Sequence, residues 1–243
     1  MQDRYIGDVG DFGKYGLLRI LGGLDGRQPL KLGVAWYLYP NESHNADGKH
    51  VDYLQRKDPF FRDCDPQLYD KLRALLFDDF GLIEANRNIG MIERSGVLPE
   101  DTVFYSLPLS YQAGLLREKR ASLRREWFAG ALGKTASADV VFLDPDNGME
   151  CKTTRTAGGG PKYVFWDDID ALVERRQSIV VYHHLGRDGT HVEQIEDKLG
   201  EMNQRFVKGF ETFHLSLIHM DPSTAAQVNL GRKANRPARL RSG

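Results

Sequence analysis

Three apolar runs constrain this chain more than any other feature: Leu30–Tyr39, Ala138–Leu143 and Ser178–Tyr182. Each is rich in β-branched and aromatic residues and ends at a polar or turn-forming segment, the pattern of a strand covered on both faces. A strand buried on both faces needs helices above and below it. Between the runs lie amphipathic segments at helical spacing, so strand and helix alternate and the sheet is expected to be mostly parallel.

Residues 11–21 place Phe12, Tyr15, Leu18 and Leu21 on one helical face, with Asp8 or Asp11 as the N-cap and Gly22-Gly23 as the stop. Helices are expected over 66–78, 81–95, 110–132, 167–176 and 190–207, with a short strand at Thr102–Ser106. Two last strands, Glu211–His219 and Ala225–Leu230, flank Asp221-Pro222, which favours a turn and antiparallel pairing. The expected fold is α/β and Rossmann-like: a mostly parallel sheet with a helical insertion and a C-terminal antiparallel hairpin. It forms one domain over 1–231, followed by a basic tail over 232–243.

The chain has 41% hydrophobic and 28% charged residues, near the globular average, which argues against disordered, collagen-like and coiled-coil classes. No window approaches the roughly 18 consecutive apolar residues of a membrane span, and the first residues lack a signal peptide's apolar core, so a cytoplasmic location and no membrane partner are expected. Cys64 and Cys151 are far apart and outside any C-x-x-C spacing, so they read as ordinary thiols. The formal charge is −1, but basic residues cluster: Arg117, Lys119, Arg120, Arg124 and Arg125 on one helix, and Arg232, Lys233, Arg236, Arg239 and Arg241 in the tail. Such clusters are either solvated surfaces or a contact surface for nucleic acid.

Ligands of open α/β sheets bind beyond the carboxyl ends of the strands. Three polar groups follow the apolar runs: Asn41, Glu42, Ser43, His44 and Asp47; Asp144, Asp146, Asn147 and Glu150; and His183, His184 and Arg187. The segment Asp144-Pro145-Asp146-Asn147-Gly148 suits a tight turn, yet a plain turn does not need two carboxylates and a third at Glu150. Imidazole titrates near neutrality and ligates metals, so His183 or His184 suits an acid/base or metal role, with successive residues facing opposite sides. The stretch Gly7-Asp8-Val9-Gly10-Asp11-Phe12-Gly13-Lys14 opens a helix as phosphate loops do, but it lacks the Walker pattern, and Asp8 and Asp11 would repel phosphate.

In order and spacing these segments resemble the J-type large-subunit ribosomal RNA adenine-N6 methyltransferases. Those enzymes open a helix with Gly-Asn-x-x-Asp-x-x-Lys, as Gly7-Asp8-x-x-Asp11-x-x-Lys14 does here, and carry Asp-Pro-Pro-Tyr where this chain has Asp144-Pro145-Asp146-Asn147. The likeness covers most of the chain at low identity. The family's glycine-rich cofactor loop is replaced by Tyr39-Pro40-Asn41-Glu42-Ser43-His44, and its stacking aromatic by Asn147. The resemblance implies S-adenosylmethionine as methyl donor and an exocyclic amine of a nucleic acid as acceptor. It makes Asp144, Asp146 and Asn147 candidate catalytic residues, with Asp11 and Lys14 on the cofactor side; by position at the strand ends alone, His183 joins the catalytic set and Glu42 and Asp47 or Asp52 the cofactor side.

Two other readings compete. A divalent-metal nuclease or phosphodiesterase would use Asp144, Asp146 and Glu150 with His183 or His184 to activate water. A non-catalytic binding protein on the same fold would keep these groups for structure. Either enzymatic reading requires Asp144 and a histidine to share one cleft, joined by Asp8, Asp11 and Lys14 if the resemblance holds.

Overall fold

The computed structural model describes residues 1–24, 26–43, 48–55, 59–151, 154–184, 190–206 and 215–218. Its main sheet has five strands: β1 (Leu32–Ala35), β2 (Val103–Tyr105), β3 (Val140–Leu143), β4 (Ser178–Tyr182) and β5 (Leu215–Ile218). Their spatial order is β2-β1-β3-β4-β5, and every neighbouring pair is parallel. The chain therefore moves outward from β1 to β2, returns to the other side at β3 and continues to β5. This is a doubly wound order whose switch point lies between β1 and β3.

The alternation of side chains along each strand divides the core in two. Leu32, Val34, Trp36, Val140, Phe142, Val180 and Tyr182 face a cluster built on α1 (Val9–Leu21), a short α2 (Pro59–Cys64), α3 (Pro66–Leu76) and α4 (Ile89–Arg94). Ala35, Tyr37, Val141, Leu143, Ile179 and Val181 face α5 (Arg117–Lys134) and α6 (Trp166–Glu174). Helices on both faces are what strands buried on both faces require. Gly33 lets β1 approach the loop after α5, because a Cβ there would lie 2.9 Å from Thr135 Cγ2. A last helix, α7 (His191–Arg205), is opened by a Thr190–Glu193 capping box.

Elements shift from their expected bounds where local chemistry decides. Asp8 caps α1 by accepting the Asp11 N–H at 2.9 Å, so the helix starts at Val9, and Gly22 closes it. The helix expected over 66–78 ends at Leu76, where Phe77–Asp78 pairs as a strand with Gly81–Leu82, and the helix expected over 81–95 breaks into that second strand, a 3-10 turn Glu84–Asn86 and α4, whose cap Asn88 accepts the Met91 N–H. The basic helix begins at Arg117 instead of 110, and the paired part of the first apolar run is Leu32–Ala35. β5 is the described part of the strand expected over 211–219 and runs parallel to β4. The strand expected at 225–230, which would complete the hairpin, and the basic tail lie outside the described residues, as does Asp47. No helix among the described residues is long and apolar enough to cross a membrane.

Candidate functional site at the sheet switch point

The switch point brings together residues from four distant parts of the sequence. Asp144 follows β3 and is 1% exposed, and its two carboxylate oxygens lie 3.2 and 3.1 Å from Lys14 Nζ. The same ammonium is 2.6 Å from Asp11 Oδ1 and 4.5 Å from the centre of the Tyr182 ring. Asp11 Oδ2 accepts from the Gly7 N–H and the Tyr15 hydroxyl. Burial alone would lower the Lys14 pKa, but Asp11 and Asp144 raise it well above the usual lysine value and keep the group charged. Burial pushes the Asp144 carboxyl up, against the pull of Lys14.

Asp146, two residues on, faces a separate set of partners. Its Oδ2 accepts from Gln2 Nε2 at 2.8 Å and lies 3.2 Å from Lys162 Nζ. Lys162 also binds Glu42 Oε2 at 2.5 Å and stands over the Tyr39 ring, while Gln2 reaches Glu42 at 3.0 Å and accepts the Glu42 N–H at 2.8 Å. The Asp146 carboxyl is held below its usual range: burial opposes this, and the Met1 ammonium, Gln2 and Lys162 outweigh it. The Met1 ammonium donates to the strand-end carbonyls of Tyr37 and Asp144 at 3.2 and 3.1 Å, and the Tyr39 N–H donates to the Met1 carbonyl. Met1 and Gln2 thus lie in the switch-point crevice, 2% and 0% exposed.

Tyr37, just beyond β1, has φ +48°, an uncommon conformation for a bulky residue. Its hydroxyl donates to Asp168 at 3.1 Å, and Asp168 is ion-paired with Arg124 and accepts the Phe165 N–H. Arg124 is buried, with its guanidinium over the rings of Tyr37, Trp127, Phe128 and Phe165. One member of the basic cluster is therefore a core residue. Arg117, Lys119 and Arg125 are exposed.

The β3 and β4 ends converge as the parallel crossover demands. Gly148 has φ +98°, and a Cβ on it would lie 2.2 Å from His183 Nδ1, so only glycine allows this approach. The Met149 N–H donates to His183 Nδ1 at 3.0 Å, so that nitrogen carries no proton here. His184 turns the other way, edge-on to Tyr182. Asn147 is half-buried, with its N–H donating to the Lys162 carbonyl. Glu150 is taken up by Arg155 at 2.5 and 2.6 Å and by the Trp166 N–H.

Of the residues singled out in the sequence, Asp11, Lys14, Glu42, Asp144, Asp146 and Asn147 gather at the switch point, and His183 joins them through Gly148 and Met149. Gln2, Lys162, Tyr37, Asp168 and Arg124 complete the network without being singled out for it. Gln2 and Lys162 carry no motif of their own, and Arg124 reads as surface because its neighbours in sequence are basic.

Asp144, Asp146 and Glu150 point to three different cationic partners and do not converge on one point. Among the described residues no three His, Cys, Asp or Glu side chains form a group able to hold a metal ion. The acceptor set suits ammonium, N–H and hydroxyl donors: the carbonyls of Tyr37 and Asp144 take the Met1 ammonium, and Asp146 and Glu42 take Gln2 and Lys162. No protein-family model, curated protein or solved structure matches the chain.

Proposed function

We propose that this protein is a methyltransferase that uses S-adenosylmethionine to modify an exocyclic amine of a nucleic acid. The observation that supports this most is the contact of Lys14 Nζ with Asp144 at 3.1 Å. It joins the Gly7–Lys14 helix opening to the Asp144-Pro145-Asp146-Asn147 segment at the sheet's switch point, the two motifs on which the methyltransferase resemblance rests. S-adenosylmethionine supplies an electrophilic methyl group when bound, and every other task falls to the chain's own residues.

In this reading Tyr37 and Asp144 take the donor's ammonium through their carbonyls, with Glu42 and Asp146 on its hydroxyls. Lys14 fixes Asp144 at the end of β3, and Asn147, half-buried beside it, meets the acceptor base. His183 holds the Gly148-Met149 backbone through its Nδ1. The exposed Arg117, Lys119 and Arg125 of α5 contact phosphate, and the reaction takes place in the cytoplasm.

The test is a thermal-shift titration with S-adenosylmethionine, its demethylated product, Mg²⁺ and Mn²⁺. The expected result is a rise in melting temperature with the first two alone, reaching about 2.7 kcal/mol of stabilisation at a hundred times Kd. A shift with the metals alone would replace this reading with the hydrolytic one.

A further inference from the structure

The short strand pair after α3 ends in a turn that stands clear of the rest of the fold. Asp78 ties this turn by accepting the Phe80 N–H at 2.8 Å and the Gly81 N–H at 3.1 Å. Gly81 has φ +123°, and a Cβ on it would meet nothing within 4 Å. The Phe80 ring is 99% exposed at the tip. A lone exposed apolar residue is ordinary. Here, however, the ring is fixed beside two carboxylates, Asp78 and Asp79, and the same chain carries its complement.

That complement is a cleft of about 540 Å³ lined by α1, α3, α4 and β2 and the segments that follow α1 and α4. Leu24, Leu98, Pro99 and Phe104 form its apolar wall. Lys71 and Arg94 also line it and have no ion-pair partner among the described residues: Lys71 donates to the Gly96 carbonyl and Arg94 to the Met91 sulfur. Arg19, in the same lining, is neutralised by Asp65. Of the two acids there, Glu93 takes the Trp36 indole N–H and Glu100 is exposed. Cavities of about 300–1,000 Å³ take a drug-sized molecule, so this one has room for a phenyl ring and part of its turn.

We propose that the Phe80 turn of one copy of this chain docks in the cleft of a second copy, with Asp78 and Asp79 facing Lys71 and Arg94 of that copy. This contact is independent of the methyltransferase reading. Within one chain the two features are held apart by α3: the turn follows its last residue, Leu76, whereas the cleft takes Gln67 and Lys71 from its first half. The helix is about 16 Å long at 1.5 Å per residue. Two copies with their α3 helices antiparallel bring each turn to the other's cleft.

The contact is then made twice around a two-fold axis, the commonest closed symmetry of oligomers. Both rings leave water together, which is the apolar part of the driving force. Asp79, exposed and without an ion-pair partner among the described residues, meets cations that also lack one. The charges fix which end of α3 faces which, because turn against turn would set carboxylates against carboxylates.

The experiment is sedimentation equilibrium of the full chain across a micromolar concentration series. It compares wild type, Phe80→Ser, Lys71→Glu, Asp79→Lys and an equimolar mixture of the last two, with circular dichroism confirming that each is folded. Wild type is expected to show a monomer–dimer equilibrium. Phe80→Ser removes two buried rings per dimer and is expected to raise the dimer Kd about 100-fold or more. Since Phe80 touches solvent alone, this variant tests the contact without burdening the fold.

Lys71→Glu and Asp79→Lys are each expected to remain monomeric, because both copies of the contact then pair like charges. Mixing them is expected to restore the dimer: one contact has the wild-type charges and the other has them exchanged. A wild type that stays monomeric throughout the series would overturn the proposal. So would a dimer unaffected by Phe80→Ser, one lost in Phe80→Ser but kept in Lys71→Glu, or a mixture that does not associate.

Discussion

Lys14 Nζ and Asp144 Oδ2 lie 3.1 Å apart although 130 positions separate them in sequence. The contact ties the first turns of α1 to the end of β3. Both side chains are sealed from water, so each depends on the other for its charge.

Removing one partner of a buried pair leaves the other charge uncompensated. Lys14→Met is expected to destabilise the fold by about 3–5 kcal/mol, because Asp144 and Asp11 would face each other without a cation. Urea denaturation at pH 7 checks this. A change below about 1 kcal/mol would mean that the pair is not sealed.

Asp8 makes stability depend on pH in a direction opposite to most carboxylates. Its folded pKa of about 7 lies above the ordinary value of 3.8. The folded state therefore holds a proton that the unfolded chain has lost between those values, and Asp8's contribution to stability falls as pH rises from about 4 to 7. Asp8→Asn is expected to stabilise the protein at pH 8 by on the order of 1–2 kcal/mol and to leave it near wild type at pH 4. Denaturation midpoints at the two pH values test the sign, and equal effects at both would contradict it.

Arg124 and its basic neighbours on α5 should separate cleanly. Arg124→Met is expected to lower stability through the loss of the Asp168 pair and the aromatic contacts, with the salt dependence of RNA binding unchanged. Arg117→Ala, Lys119→Ala and Arg125→Ala are expected to leave stability within about 0.5 kcal/mol. Each should reduce the slope of log affinity against log salt by about 1. Filter binding across a salt series measures this, and a slope unchanged in all three would remove α5 from the proposed nucleic-acid surface.

Much of this arrangement was legible in the sequence for a physical reason. A strand covered on both faces cannot hide its apolar pattern, and parallel strands with short crossovers must put their carboxyl ends on one edge. The runs ending at Leu143 and Tyr182 therefore announced that Asp144 and the two histidines after Tyr182 would follow neighbouring strand ends on one sheet edge. Arg124 and Gln2 were not legible in the same way. Arg124 sits among basic surface residues and turns inward only because α5 packs that face on Tyr37 and Phe165. Gln2 has no periodicity around it, and its burial depends on Glu42 and Asp146 from distant segments. The break at Asn88 was hidden because a capping residue inside an apolar pattern reads equally well as part of a longer helix.

Gln2 closes the crevice through Asp146 and Glu42. If the donor enters there, Gln2→Ala should ease its entry and tighten S-adenosylmethionine binding by roughly 5- to 30-fold, the equivalent of one or two kcal/mol of lost hydrogen bonding. Equilibrium dialysis gives the answer, and weaker binding in the variant would show that Gln2 supports the donor site instead of filling it.

The most direct test of the account is the fate of the methyl group. In vitro transcribed RNA and unmethylated DNA are incubated with the protein and deuteromethyl-labelled S-adenosylmethionine, digested to nucleosides and analysed by mass spectrometry. The account predicts a nucleoside carrying the labelled methyl on an exocyclic nitrogen with the wild type, reduced at least about 100-fold in Asp144→Ala, whose folding is confirmed separately. Labelled nucleoside at equal levels with Asp144→Ala, or none with either protein, would contradict it.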